Sequence, residues 1–215
     1  MSQIQLTFTP PESKRLIAKA IASLDEVQET FKKHMIMIAL GTTTGRVAEE
    51  LLDEEINREG FAAGIILPKG TCVLPREKRT SRIIIKEGEV IDIETSEMLE
   101  ELSANDMIIK GANAIDPFGT AGVLLASRTG GTLGKIMGPA FSRGVNIVIP
   151  VSLEKLVLEP IDELSRITGV DKTQSSVGVP AGLGVLPGET ITEIDAIRIL
   201  SGAEASPIAK GGVSG

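Results

Sequence analysis

Short apolar runs that end at glycine and pass into segments of helical spacing recur along this chain, and that alternation leaves few folds open. Met35-Ile-Met-Ile-Ala-Leu40 is one such run, uncharged throughout, and reads as a strand buried on both faces. Gly41 ends it; Thr44, Val47, Ala48, Leu51 and Leu52 then return every three or four residues, so a helix follows. The same order is read at Met107, Ile108 and Ile109 before Gly111, at Val123-Leu-Leu-Ala126 before a Gly-rich turn and a helix over 133–141, and at Asn146-Ile-Val-Ile-Pro150. Strands over 62–67 and 81–85 flank a path broken by Pro68, Lys69, Gly70 and Pro75, and residues 94–102 read as a helix. Thr9-Pro-Pro-Glu12 has the form of a capping box with proline in the first turn, opening a helix whose core face is Leu16, Ile17, Ala20, Ile21 and Leu24; a shorter helix follows over Asp25–Lys33. Strands that alternate with helices build βαβ units. The expected fold class is therefore α/β, a Rossmann-like, mostly parallel sheet with helices on both faces.

Composition narrows the partners. With 215 residues, 42% of them hydrophobic, the chain is expected to form a single α/β domain over 1–215, with residues 175–215 as a lid, arm or small subdomain. That segment opens with the Gly/Pro-rich Ser175-Ser-Val-Gly-Val-Pro-Ala-Gly-Leu-Gly-Val-Leu-Pro-Gly188 and continues into 189–199, which starts as a half-buried strand and then turns ambiguous. Residues 209–215 read as a frayed end, or as a tail carrying Lys210 over an anionic ligand. A net charge of -7, no Trp and no Tyr oppose nucleic-acid binding, which relies on cations and stacked aromatic rings. The basic clusters Lys32-Lys33-His34 and Arg76-Glu-Lys-Arg79 fit solvated surface. No apolar run approaches the ~20 residues of a membrane span and residues 1–9 lack a signal-peptide core, so no membrane partner and a cytoplasmic location are expected. Cys72 and His34 are each the only residue of their type, which leaves neither a disulfide nor a cysteine- or histidine-built metal site; no cofactor is expected.

Ligands of open α/β sheets sit beyond the carboxyl ends of the strands. Gly41, Thr42, Thr43, Thr44 and Gly45 occupy that position after the first strand, where backbone N–H groups and the positive end of a helix attract an anion and threonine hydroxyls add donors. The alternative is a plain strand-to-helix turn with a threonine N-cap. Thr129, Gly130, Gly131 and Thr132 form a second possible cradle, with Arg128 before it and Lys135 after it. Lys110, Gly111, Asn113 and Asp116 follow the Met107 strand at the same edge. Lys110 either faces a ligand there or snorkels to pair with Asp106 or Asp116.

Lys110-Gly-Ala-Asn-Ala-Ile-Asp116 resembles the Asp-Gly-Ala-Asp-Glu-Val-Asp motif of ribose-5-phosphate isomerases of the A type. Leu40-Gly-Thr-Thr-Thr-Gly45 and Arg128-Thr-Gly-Gly-Thr-Leu-Gly-Lys135 fall in that family's order, so residues 13–157 are similar to the wider superfamily of phosphosugar isomerases, CoA transferases, translation-factor 2B-like proteins and sugar-sensing repressor domains. The resemblance implies a phosphate at Gly41–Gly45 and a reacting end at Lys110, Asn113, Asp116 and Lys135. It also shows departures. Thr43 replaces a glycine, Lys110 and Asn113 replace aspartates, Arg128 stands for a lysine, and Gly134 stands where the isomerases carry a glutamate. The two aspartate replacements move the site about three charge units toward positive, which favours an anionic ligand. Gly134 also removes the carboxylate that an aldose–ketose proton transfer needs as its base.

Three functions follow. The first is an enzyme of isomerase or transferase type acting on a phosphorylated sugar, nucleotide or CoA-linked metabolite, without ribose-5-phosphate isomerase activity. The second is a non-catalytic metabolite sensor, and the third a structural subunit related to the translation-factor 2B-like proteins. Each takes a small anionic metabolite or its vestigial pocket as a starting point, and a homo-oligomer, a dimer in the simplest case, is expected.

Overall fold

The computed structural model describes residues 3–211. Its elements run α1 (Pro10–Ser23), α2 (Asp25–Lys33), β1 (Met35–Ile38), α3 (Thr42–Leu52), β2 (Gly64–Leu67), β3 (Gly70–Val73), β4 (Ile83–Lys86), β5 (Glu89–Ile91) and α4 (Thr95–Glu101) in the first half. They continue with β6 (Met107–Ile109), β7 (Ala114–Ile115), β8 (Ala121–Leu125), α5 (Gly131–Arg143), β9 (Asn146–Pro150), α6 (Ile161–Ile167), β10 (Gly182–Leu186), β11 (Glu189–Ile191) and α7 (Glu193–Ser201). The protein is α/β, built on a mixed, mostly parallel six-stranded sheet of order β11-β9-β6-β1-β4-β5. β11, β9, β6 and β1 run parallel, and β4 and β5 complete the sheet antiparallel.

Period-two alternation divides the strand side chains between two cores. Ile36, Ile38, Met107, Ile109, Val148 and Ile191 pack with Ile17 and Ile21 of α1, Val27 of α2, Val47 and Leu51 of α3 and Ala196 of α7. Met35, Met37, Ile108, Ile147 and Ile149 pack with Met98 of α4 and with Leu133, Ile136 and Ala140 of α5. Ile36, Ile108 and Ile149 are wholly buried, each stabilising the fold by about 1.5–3 kcal/mol, and their side chains fix the register that aligns the strand ends.

The helix start at Thr9 forms as its sequence implies. The Thr9 backbone N–H donates to the Glu12 carboxylate at 2.7 Å, giving one of the otherwise orphaned donors an acceptor. Other boundaries differ from the sequence reading. α3 begins at Thr42, so Thr42 to Gly45 are its first turn rather than a loop ahead of it. β3, β5, β7 and α6 were not legible, being two to four residues long or, for α6, a single short helix after Pro160. The Gly/Pro-rich segment supplies β10, which pairs with β8 in a three-stranded sheet of order β10-β8-β7; residues beyond it supply β11 and α7. Lys210 donates to the Leu156 carbonyl at 3.2 Å, and residues 212–215 of the tail lie outside the described residues. Among the described residues no helix is long and apolar enough to cross a membrane.

Candidate functional site

Four parallel strands end at one edge and each delivers polar groups there. Ile38, Ile109, Pro150 and Ile191 are the last strand residues; backbone bonds from Ala39 N–H to Ile109 O (3.0 Å), Lys110 N–H to Val148 O (3.0 Å) and Val151 N–H to Ile191 O (3.1 Å) carry the pairing one residue further. Past that line lie the first turn of α3, the Lys110-Gly111 pair, Ser152 and Lys155 after β9, and Glu193 at the start of α7. The Thr44 hydroxyl donates to the Ala39 carbonyl (2.7 Å) and lies 3.0 Å from the Gly41 carbonyl, which fixes the strand-to-helix turn and uses up that side chain. Thr43 Oγ1 is buried and has no hydrogen-bond partner among the described residues. The backbone N–H groups of Thr42, Thr43 and Thr44 belong to the turn whose donors an α-helix leaves unsatisfied. A Cβ built on Gly111 would stand 3.7 Å from the Thr44 methyl, so the Gly111 backbone lies against the Thr44 side chain.

Three lysines gather at this edge. Lys155 Nζ donates to the Ala112 carbonyl at 2.7 Å, and Lys14 of α1 pairs with Glu154 at 3.1 Å. Glu193 is held in turn, accepting from Ser152 Oγ at 2.6 Å and from Leu153 N–H at 2.9 Å. Lys110 is half-buried, and among the described residues no acceptor lies within hydrogen-bond reach of its ammonium. It pairs with neither Asp106 nor Asp116, because both carboxylates are occupied by other donors. Burial, and then the positive charge of Lys155, pushes the Lys110 pKa down to about 8. Lys155 is lowered by burial and by Lys14, against the pull of Glu154 and Glu193.

A lysine held below its ordinary pKa makes the folded state less stable wherever it must be charged. The penalty is complete below pH 8 and is relieved as the pH rises toward the unfolded value of about 10.4, where the unfolded chain binds the extra proton. Lys110→Met is therefore expected to raise stability at pH 7 by about 1–2 kcal/mol, the gain shrinking above pH 8. Urea titrations of both proteins at pH 7 and 10 check it. A loss of stability at pH 7 would show that Lys110 makes favourable bonds in the native state.

Beside the lysines, a cavity of about 150 Å³ opens at the N-terminus of α3. Lys14, Arg46 and Arg58 line it with Gly41, Thr42 and Phe61, and no acidic side chain does. The two guanidiniums are positioned by Glu49, which is buried and receives Arg46 at 3.1 Å and Arg58 at 2.7 Å, as well as Arg15 at 3.2 Å. A larger cavity, about 290 Å³, lies at the opposite edge where β9 and β11 begin; its ionisable walls are Glu26 and Glu189, unsuited to an anion.

The remaining sequence candidates have work inside the fold. Asn113 Oδ1 accepts from Leu124 N–H at 2.9 Å, joining the Lys110 segment to β8. Asp116 is buried and accepts from Phe118 N–H and Thr120 N–H at 2.9 Å and from Ile161 N–H, at the start of α6, at 3.0 Å. Arg128 is exposed and pairs with Asp171 at 2.6 Å; Thr129, Thr132 and Lys135 are exposed as well. Gly130 and Gly131 take left-handed backbone (φ 72° and 57°) to enter α5, a conformation that favours glycine. At Gly134 a Cβ would stand 2.0 Å from the Thr129 carbonyl oxygen, so this backbone has no room for a glutamate there. No described contact joins the Thr129 turn to the lysine cluster. The structure therefore brings together Gly41–Gly45, Lys110 and Gly111, and adds Lys14, Arg46, Arg58, Lys155 and Glu193. Helical spacing gave Lys14 and Arg46 no distinction from surface residues, and Lys155 and Glu193 follow their strands directly, which is the one signal that marks them.

Among the described residues no group of three His, Cys, Asp or Glu side chains is placed to hold a metal ion. No family model, curated protein or solved structure matches this chain.

Proposed function

We propose that the chain is a Rossmann-like anion-binding protein, with helices on both faces of its sheet, that takes a phosphorylated sugar, nucleotide or CoA-type metabolite at the carboxyl edge. One observation carries the reading: the cavity at the start of α3 is walled by three cations and no acid, and Lys14 among them acts on Lys155, which in turn acts on Lys110. Cations and the first-turn N–H groups of α3 attract phosphate by the same electrostatics. The two separate cores, one rich in α1, α2, α3 and α7 side chains and the other in α4 and α5, support the Rossmann-like arrangement. The likeness to the isomerase and CoA-transferase superfamily belongs to the same proposal. Ribose-5-phosphate isomerisation does not, because Asp116 is engaged by three N–H groups and Gly134 leaves no place for a basic carboxylate.

Missing carboxylates favour a second reading, a sensor or structural subunit that binds without turnover. Exposed Ile66, Leu67 and Val73 on β2 and β3, next to Val177, support a homo-oligomer, a dimer in the simplest case, which sedimentation equilibrium measures; a monomer at all concentrations would remove it.

Thermal unfolding with inorganic phosphate, sulfate, ribose 5-phosphate, nucleotides and CoA esters tests the binding. A ligand confined to the folded state adds about 2.7 kcal/mol at a hundred times its dissociation constant. An organic phosphate is expected to stabilise more than inorganic phosphate, with Lys14→Ala or Arg58→Ala weakening the effect. Equal melting in every ligand would leave the α3 turn as plain structure, and turnover of ribose 5-phosphate would remove the exclusion.

A further inference from the structure

We propose that Lys110 is a nucleophilic amine that forms an imine with the carbonyl of a phosphorylated aldehyde or ketone, its phosphate seated in the cavity of Lys14, Arg46 and Arg58. The proposal rests on the anion-binding reading above and names the chemistry of the ligand.

The arrangement of the three lysines separates their roles. Lys155 donates to the Ala112 carbonyl at 2.7 Å and Lys14 pairs with Glu154 at 3.1 Å, so each has an acceptor. Lys110 has none among the described residues, although its side chain is half-buried at the edge where four strand ends converge. Burial and the charge of Lys155 disfavour an ammonium there relative to an amine, which needs no counter-charge. Enzymes activate lysine in two ways, by desolvation and by an adjacent cation, and Lys110 has both. With a pKa near 8, a large fraction is neutral at pH 8, where an ordinary lysine is almost wholly protonated.

The cavity supplies the other half of the ligand. Lys14 belongs to both parts, since it lines the cavity and its charge acts on Lys155, the lysine that acts on Lys110. Gly111, the next residue, lies against Thr44 in the first turn of α3.

The step balances without a co-reactant. The Lys110 nitrogen lone pair attacks the carbonyl carbon while the C–O π pair moves to oxygen, and proton transfer from nitrogen to oxygen gives the carbinolamine. Loss of water then forms the C=N bond. Lys155, whose charge acts on Lys110, can relay the protons.

The test mixes wild-type protein at pH 8 with glyceraldehyde 3-phosphate, reduces with borohydride and maps the modified peptides, with glyceraldehyde as the uncharged comparison. One adduct per chain at Lys110 is expected, about tenfold more than at any other lysine and about tenfold more than with glyceraldehyde, the margin that one anion contact of ~1.4 kcal/mol gives. Inorganic phosphate suppresses it. Lys110→Arg abolishes the adduct, and Lys19→Arg, an exposed position on α1, leaves it unchanged. Label spread over exposed lysines, or no label, overturns the imine; if phosphate still stabilises the protein, the anion site stands without it. Label at Lys110 that phosphate does not suppress and glyceraldehyde gives equally overturns the phosphorylated ligand class. The wild-type peptide map decides these outcomes even where Lys110→Arg fails to fold.

Discussion

Asp116→Ala is expected to destabilise the protein by about 3–4 kcal/mol at pH 7, because it strips the acceptor from three backbone N–H groups at once. The carboxylate is buried and holds the Phe118 and Thr120 amides of a tight turn and the Ile161 amide that opens α6. A buried donor left without a partner costs about 1–3 kcal/mol; the exposed Phe118 amide recovers part of its share from water, which keeps the sum below three full penalties. Burial alone would raise this carboxyl's pKa, but the three N–H bonds outweigh it and hold the pKa below the ordinary aspartate range. The sign of the pH dependence follows: the stabilisation is complete above the unfolded value of about 3.9 and is lost as the pH falls through the lower, folded value. Urea unfolding of Asp116→Ala at pH 7 measures the first effect, and unfolding of wild type and Asp116→Asn from pH 7 to pH 3 measures the second. The gap between the two curves is expected to narrow below pH 4. A constant gap would mean that the charge of Asp116 contributes nothing and only its shape matters.

That result would also separate two meanings of the Lys110–Asp116 stretch. As sequence it reads as a site, with polar residues after an apolar strand and a family motif that gives each position a role. In three dimensions the stretch divides after Gly111. Lys110 stays at the strand edge, while Asn113 and Asp116 turn away to tie β7, β8 and α6 together. Nothing in the spacing distinguishes a carboxylate that faces a ligand from one that accepts backbone amides in a turn, since aspartate serves both uses.

The central strands of the main sheet were legible for a physical reason. Strands buried on both faces must be apolar without interruption, and β1, β6 and β9 have no polar residue to confuse the pattern apart from Asn146 at an end. Of the small sheet only β8 was, because Gly182, Gly184 and Gly122 give the close approach of β8 and β10 at the expense of any periodic signal in β10; a Cβ on Gly122 would come within 3.0 Å of Leu183. The cationic cavity was equally hidden. Lys14 and Arg46 sit on different helices, Arg58 follows α3 in a loop, and only tertiary packing of α1 against α3 makes them neighbours.

Glu49 is what allows three guanidiniums to share that corner, so Glu49→Ala is expected to lower stability by about 3 kcal/mol, second only to Asp116→Ala. Its side chain is 4% exposed and meets Arg15, Arg46 and Arg58, whose own exposures of 35%, 19% and 46% let water screen them once the carboxylate is gone. Removing one partner from a buried pair costs about 3–5 kcal/mol, and screening of the three arginines places this case at the lower end. Burial raises the Glu49 pKa, and the hydrogen bonds from Arg58 and Arg46 more than reverse the shift. The stabilisation is therefore present at neutral pH and fades as the pH falls below the unfolded glutamate value of about 4.3. The same substitution leaves Arg46 and Arg58 without the carboxylate that orients them at the cavity wall. Two outcomes follow for phosphate binding, measured calorimetrically on the folded variant. Weaker binding means that the fixed geometry of the guanidiniums decides affinity; stronger binding means that their net charge does. The buried, three-way contact favours the first, since side chains released from Glu49 must be ordered again by the ligand, at about 0.5–1.5 kcal/mol for each.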